Sequence, residues 1–185
     1  NTLGDDHGSF GERQVFEALK NKLDSDFTVF HSVRWNARNE KKTIIWGECD
    51  FTIFHPEYGI IALEVKSGGI ECVNNSWTYI RTDNGERHTM TRGPLEQGDR
   101  EIRYKFKDLV CELLDGAPQN DPQYCLVEPA AWFPSISKRD IVGELPMEYK
   151  DEIVLYENAL DNPQKFIMGI YEYYGGQRHT RLNPD

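Results

Sequence analysis

Residues 47–68 read GECDFTIFHPEYGIIALEVKSG. Asp50, Glu64 and Lys66 stand inside two stretches that are otherwise apolar enough to be buried strands. Side chains alternate along a strand. Glu48, Asp50 and Thr52 are therefore expected on one face, and Cys49, Phe51 and Ile53 on the other. In the next strand Ile61, Leu63 and Val65 share one face, while Ile60, Ala62, Glu64 and Lys66 share the other. Glu64 and Lys66 then point the same way, about 7 Å apart along the strand. The turn signals from Pro56 to Gly59 make the two strands antiparallel neighbours, which brings Asp50 beside Glu64 and Lys66. Two carboxylates held together repel, and both resist burial as anions. A divalent cation resolves this, because Asp50 and Glu64 are hard oxygen ligands of the kind magnesium takes, with other positions left to water and phosphate. Lys66 beside them can orient a water or stabilise charge growing on a phosphate, so the set suits phosphodiester hydrolysis. The plainer reading is a solvated Glu64–Lys66 ion pair on an exposed sheet face, worth about 1 kcal/mol or less, with Asp50 in a turn.

These residues need elements to hold them. Ser9 is a plausible helix cap with Glu12 three residues on, as in a capping box. The helix should run to about Leu23, with Phe16, Leu19 and Leu23 on one stripe. Extending that stripe back one turn meets Glu12, which leaves two readings: a capping carboxylate facing solvent, or an acid at the inner end of the buried face. Strands are expected at 28–35, 44–55, 60–67, 70–73 and 76–81, as an antiparallel meander with turns between. Pro94 should open a long helix to about Leu114. Residues 125–133 read as a buried strand with Pro129 at a bulge or edge, 134–150 as an irregular connection and 152–157 as a short strand. A last helix should start at Asn162-Pro163 and end at Gly175-Gly176. That order is a mixed α/β domain with helices covering a central sheet.

The bulk numbers exclude several classes. The 185 residues suit one domain, and no apolar run approaches the roughly 18 residues a membrane span needs. No secretory signal opens the chain; it begins at Asn1, as a domain cut from a longer protein would. Cys49, Cys72, Cys111 and Cys125 form no CxxC pair, so a zinc ribbon is not expected, and Cys49 and Cys111 read as small buried hydrophobes in a reducing compartment. The five histidines, at 7, 31, 55, 88 and 179, lack any ligand spacing and read as surface or satisfied core residues. The net charge of −10 counts against a broad basic DNA-coating face, though not against a local basic lip. Arg92, Arg100, Arg103, Lys105 and Lys107 around the second long helix, and Arg38, Lys41 and Lys42 on the early hairpin, are candidates for gripping a nucleic-acid backbone. The alternative is a charged face balanced by Glu96, Asp99, Glu101 and Asp108. Trp77 and Trp132 read as core rather than base-stacking platforms.

GECDF, then GIIALEVKSGGI, then Trp77, then PLEQ at 94–97 follow one another after a first helix carrying Gly11-Glu12. This ordered set, over about residues 8–114, resembles the nuclease-related domain (NERD) family of the PD-(D/E)xK nuclease superfamily. The resemblance implies an α/β restriction-endonuclease-like fold, a mixed central sheet flanked by helices. The polar residues 1–8 are expected to be flexible, ahead of a single nuclease-related domain at 9–185 with a core to about 135 and a loosely matching extension at 136–185. By position Asp50 matches the family's metal aspartate, Glu64 its second acid, Lys66 its catalytic lysine and Glu12 its first-helix glutamate. Gln97 matches the glutamine of the second helix, placed to hydrogen-bond a ligand, a water or a scissile phosphate; otherwise it is an ordinary first-turn polar residue. Glu48 shares Asp50's expected face and is a candidate to support it. The implied function is Mg2+- or Mn2+-dependent hydrolysis of DNA in the cytoplasm, in a DNA-processing protein beside a helicase or ATPase module. No base-reading element is visible, so structure-directed cutting is expected over sequence-specific cutting. The alternative is a non-catalytic module that binds nucleic acid or docks a helicase-like partner.

Overall fold

The computed structural model describes residues 10–38, 43–81, 84–101 and 126–175. Helix α1 spans Phe10–Lys22 and buries Gly11, Val15, Ala18 and Leu19, a stripe at spacings of three and four. The stripe runs through Val15 rather than Phe16, and Phe16 and Leu23 pack at its flank, half-buried. Ser9, the expected cap, lies outside the described residues.

Strands β1 (Thr28–Arg38), β2 (Ile44–His55) and β3 (Gly59–Val65) pair antiparallel in turn. The β2–β3 turn closes with the Tyr58 N–H donating to His55 O at 3.2 Å. It needs glycine at 59: φ is +107°, and a Cβ there would stand 2.3 Å from the Leu126 carbonyl oxygen. Beyond β3 the expected meander stops. Strand β4 (Gly69–Val73), strand β5 (Ser76–Ile80) and strand β6 (Arg87–Met90) form a separate sheet instead. The reason is competition for β3. Strand β7 (Val127–Phe133) pairs parallel to it, and the Trp132 carbonyl takes the Lys66 N–H at 3.0 Å. The chain turns away at Gly68, where φ is +103°. Strand β6 has no apolar alternation in its sequence, RHTM, and its strand character comes from pairing with β5.

Helix α2 begins at Pro94 and is described over Pro94–Glu101. The residues expected to continue it to Leu114 fall outside the described ones, together with Arg103, Lys105 and Lys107. The 134–150 connection carries a 3-10 turn at Lys138–Asp140 and a two-residue strand β8 (Val142–Gly143) beside β4. Strand β9 (Val154–Tyr156) pairs parallel to β7. Helix α3 spans Pro163–Tyr173, with the Asn162 side chain accepting from the Lys165 N–H and Pro163 at its start. The first sheet thus has the order β1-β2-β3-β7-β9 and the second β6-β5-β4-β8. With the helices they make a mixed α/β fold of the restriction-endonuclease-like kind.

Helices α1 and α3 cover one face of the first sheet, where Val15, Leu19, Ile167 and Ile170 meet Phe51, Ile53 and Leu63. Each such side chain contributes about 1.5–3 kcal/mol through burial. Helix α2 lies on the other face, close enough that a Cβ on Gly98 would stand 3.0 Å from the Pro129 Cβ. Pro129 sits in β7 before the stretch that β9 pairs, which begins at Ala131. Its missing N–H therefore costs no bond to β9, and its carbonyl accepts the Tyr174 hydroxyl at 2.8 Å. Trp77 and Trp132 are core residues, the latter donating its indole N–H to Tyr156 O at 3.0 Å. The Tyr171 hydroxyl, fully buried, lies 3.2 Å from both Ile53 O and Gly59 O. Tyr171→Phe should cost about 1–2 kcal/mol in urea unfolding without changing the fold, because the one hydroxyl proton shared by two buried carbonyls is lost.

Candidate active site

The strand pattern predicted from alternation breaks at one residue, Asp50. Strands β1 and β2 pair from Thr28·Phe54 to Arg38·Ile44 with a single omission, Ser32 opposite Asp50. Ser32 has φ +53°, a left-handed backbone that a serine adopts only at a cost. The break reverses the faces. Cys49 packs with Ala62 and Val127, and accepts the Thr52 hydroxyl at its sulfur at 3.5 Å, whereas Phe51 and Ile53 belong to the α1 side. Cys49 therefore does not share a face with Phe51 and Ile53, as expected from alternation, but stands with Thr52. On the β3 side the pairing reaches Phe51·Leu63, and the next pair would be Asp50·Glu64. There the Asp50 carboxylate itself accepts the Val65 N–H at 2.8 Å. The side chain takes the place in the ladder that a backbone carbonyl would fill, which is how a strand interior accommodates it.

Glu64 is 5% exposed, and Lys66 Nζ lies 2.5 Å from its Oε1. The two are paired, but as a mostly buried pair rather than a solvated one. They line a cavity of about 610 Å3 together with Glu12, Gln97, Arg92 and Arg100. Glu12 reaches it from the first turn of α1, its side chain 20% exposed and its Oε2 3.6 Å from His31 Nε2. Gln97 reaches it from the first turn of α2, where its side-chain amide donates to the Arg92 carbonyl at 3.1 Å. Asp50 is not in the cavity wall but directly behind it, bonded to Val65. Glu48 sits at the rim, held by Arg34 at 3.1 Å. Arg100 also stacks over the Trp35 ring at 5.6 Å.

Several wall residues carried no signal in the sequence. Tyr79, Thr89 and Thr91 come from β5, β6 and the turn after it, and only the separate second sheet brings them to the site. Ser67 follows the EVK stretch directly. Its hydroxyl accepts the Gly11 N–H at 3.3 Å, and a Cβ on Gly11 would stand 2.8 Å from the Ser67 Cβ. That close approach, which only glycine permits, sets the start of α1 and with it Glu12 against the end of β3.

A family model described as a nuclease-related domain (NERD) matches residues 7–134. The chain belongs to the nuclease-related domain family. Nothing among curated proteins or solved structures matches it. All five candidate residues, Glu12, Asp50, Glu64, Lys66 and Gln97, lie within the matched stretch. Strands β8 and β9 and helix α3 lie beyond it, yet β9 extends the first sheet and Tyr149 accepts the Leu95 N–H at 3.1 Å, bracing the start of α2. No helix among the described residues is long and apolar enough to cross a membrane.

The electrostatics of this nuclease-related domain concentrate on Asp50. Burial, reinforced by the neighbouring Glu64, pushes its pKa up to about 8 from an ordinary 3.8. Burial pulls Lys66 down, but the carboxylates of Glu64 and Asp50 more than offset this and hold its pKa above the ordinary value. Among the described residues no three His, Cys, Asp or Glu side chains are grouped so that they could together hold a metal ion. The candidate donor set is two carboxylates, Glu64 in the cavity wall and Asp50 directly behind it. That suits Mg2+ or Mn2+, which take one or two carboxylates and complete their shell with water and phosphate, and not a structural zinc with four protein ligands. Without metal, Asp50 is a liability. Its folded pKa lies above its unfolded one, so its burial costs nothing below about pH 4 and costs most above about pH 8. Asp50→Asn should therefore stabilise the protein in EDTA at pH 7 by about 1–3 kcal/mol. That gain should shrink as the pH falls towards 4, as thermal melts across this range will register.

Proposed function

We infer that this domain hydrolyses phosphodiester bonds of DNA with Mg2+ or Mn2+ held by Asp50 and Glu64. The observation that carries the reading is the Glu64–Lys66 pair, 2.5 Å apart and mostly buried, in a cavity that Arg92 and Arg100 also line. A buried ion pair beside a second buried acid is a poor way to stabilise a fold, and such clusters mark functional sites. The cation would supply Lewis acidity at the scissile phosphate. Glu64 holds the Lys66 ammonium in place, so charge developing on the phosphate meets a donor that does not have to reorganise. Arg92 and Arg100 suit the flanking phosphates, where guanidinium forks bind well. Gln97, through its bond to the Arg92 carbonyl, braces the turn that presents Arg92. Glu12 adds a further carboxylate to the cavity wall. With a net charge of −10, the grip on DNA has to be this local. A helicase or ATPase module is the neighbour that the reading proposes for the domain.

Labelled linear, circular and single-stranded DNA incubated with Mn2+, Mg2+ or EDTA tests the reading. Cleavage should need the metal and fall by about 100-fold or more in Asp50→Asn and in Lys66→Ala. Undiminished cleavage by Asp50→Asn would sink it. Binding without turnover, indifferent to Lys66→Ala, would make the domain a non-catalytic docking module instead. Arg92→Gln and Arg100→Gln should each weaken DNA binding and flatten the log–log salt slope by about 1, measured by fluorescence anisotropy at several salt concentrations.

A further inference from the structure

His31 takes no part in the hydrolysis just described, yet it touches two of the elements that do, α1 and β2. Its Nε2 lies 3.6 Å from Glu12 Oε2, long for a hydrogen bond but close enough for electrostatic contact. Its ring is held on two sides. Phe16 meets it edge-on with centroids 5.8 Å apart, and Phe51 lies against it at 4.7 Å. Phe16 is one helical turn from Glu12 on α1, and Phe51 follows Asp50 on β2. His31 itself precedes Ser32, the left-handed residue opposite Asp50, and the Ser32 hydroxyl oxygen lies 3.4 Å from the same Nε2. One imidazole therefore joins the helix carrying Glu12, the strand carrying Asp50 and the break in β1 where the sheet opens. Glu12 lines the candidate active-site cavity, while His31 lines a cleft of about 720 Å3 beside α1 and β1.

We propose that His31 is a positioning residue for Glu12, its ring wedged between Phe16 and Phe51 so that it fixes where the Glu12 carboxylate stands in the cavity shared with Glu64 and Lys66. The proposal rests on the metal-site reading above. A glutamate side chain has three torsions, and ordering it on demand costs conformational entropy. A rigid ring against its carboxylate meets that cost during folding, so less is lost when cation and phosphate arrive. The left-handed backbone at Ser32 serves the same end. It turns the chain after His31, and strain of this kind persists where the surrounding structure holds a site in place.

The test is a double-mutant cycle between His31 and Glu12, read first by calorimetric titration with Mn2+ and then by cleavage. His31→Phe keeps an aromatic ring between Phe16 and Phe51 and removes the nitrogens; His31→Gln keeps a donor and removes the ring. His31→Phe should weaken Mn2+ binding about tenfold with the melting temperature in EDTA unchanged. His31→Gln should recover part of the loss, and His31→Phe should add nothing once Glu12→Gln is present. Wild-type Mn2+ affinity in His31→Phe, or a loss that adds in full to that of Glu12→Gln, overturns the proposal. If His31→Phe lowers the melting temperature, the cycle of His31→Gln against Glu12→Gln decides in the same way, coupling supporting the proposal and additivity overturning it. A chain that binds Mn2+ without cleaving overturns the hydrolysis reading alone, because the binding cycle still decides the role of His31. A wild-type chain that binds no Mn2+ overturns both.

Discussion

One hydrogen bond organises this site: the Asp50 carboxylate accepting the Val65 N–H at 2.8 Å. Strand β2 has to pair with β1 on one side and β3 on the other, because the core beneath it depends on both. A carboxylate in the middle of such a strand either faces the core as a buried anion or faces away from its partners. The chain finds a third arrangement. It opens the β1 ladder for one residue, at the left-handed Ser32, and lets the side chain of Asp50 occupy a backbone position in the β3 ladder. The reversal of faces between Cys49 and Phe51 follows from that opening.

The rest of the structure holds this arrangement against its electrostatic cost. Two buried carboxylates and an ammonium are packed together, and burial works against the charged form of each. The neighbours supply rigidity. Strand β7 anchors Lys66 through the Trp132 carbonyl. Gly11 lets α1 close onto Ser67, and the second sheet supplies a wall of Tyr79, Thr89 and Thr91. The segment beyond the family match contributes as well, through Tyr149 at the start of α2, through β9 at the edge of the first sheet and through α3 over the core. The site is thus an expensive local feature carried by a well-packed domain, as expected where function and stability compete.

Much of this was legible in the residues. The bounds of β2 and the start of α3 follow from apolar runs and from Pro and Gly punctuation, signals that act over a few residues. The Glu64–Lys66 pairing follows from period-two geometry, which holds along β3 because that strand is regular. Period-two geometry failed at Asp50, since a break in β1 is a property of the partner strand and leaves no mark in GECDF. From the sequence the second sheet reads as a continuation of the first for a similar reason. Nothing in residues 69–80 says that β7, more than 45 positions further on, takes the free edge of β3.

Sequence alone thus determined most of the elements, though not β6 or β8, and the pairing of β2 with β3, and it nominated Glu12, Asp50, Glu64, Lys66 and Gln97 as candidates. All of these rest on local periodicity, turn chemistry and an ordered set of motifs. Only the tertiary structure decided that Asp50 reaches the site through a gap in the sheet, that Arg92 and Arg100 share a cavity with the acids, and that His31 touches Glu12. Those facts depend on contacts between distant segments, whose energies come from packing and burial that no short stretch of residues contains.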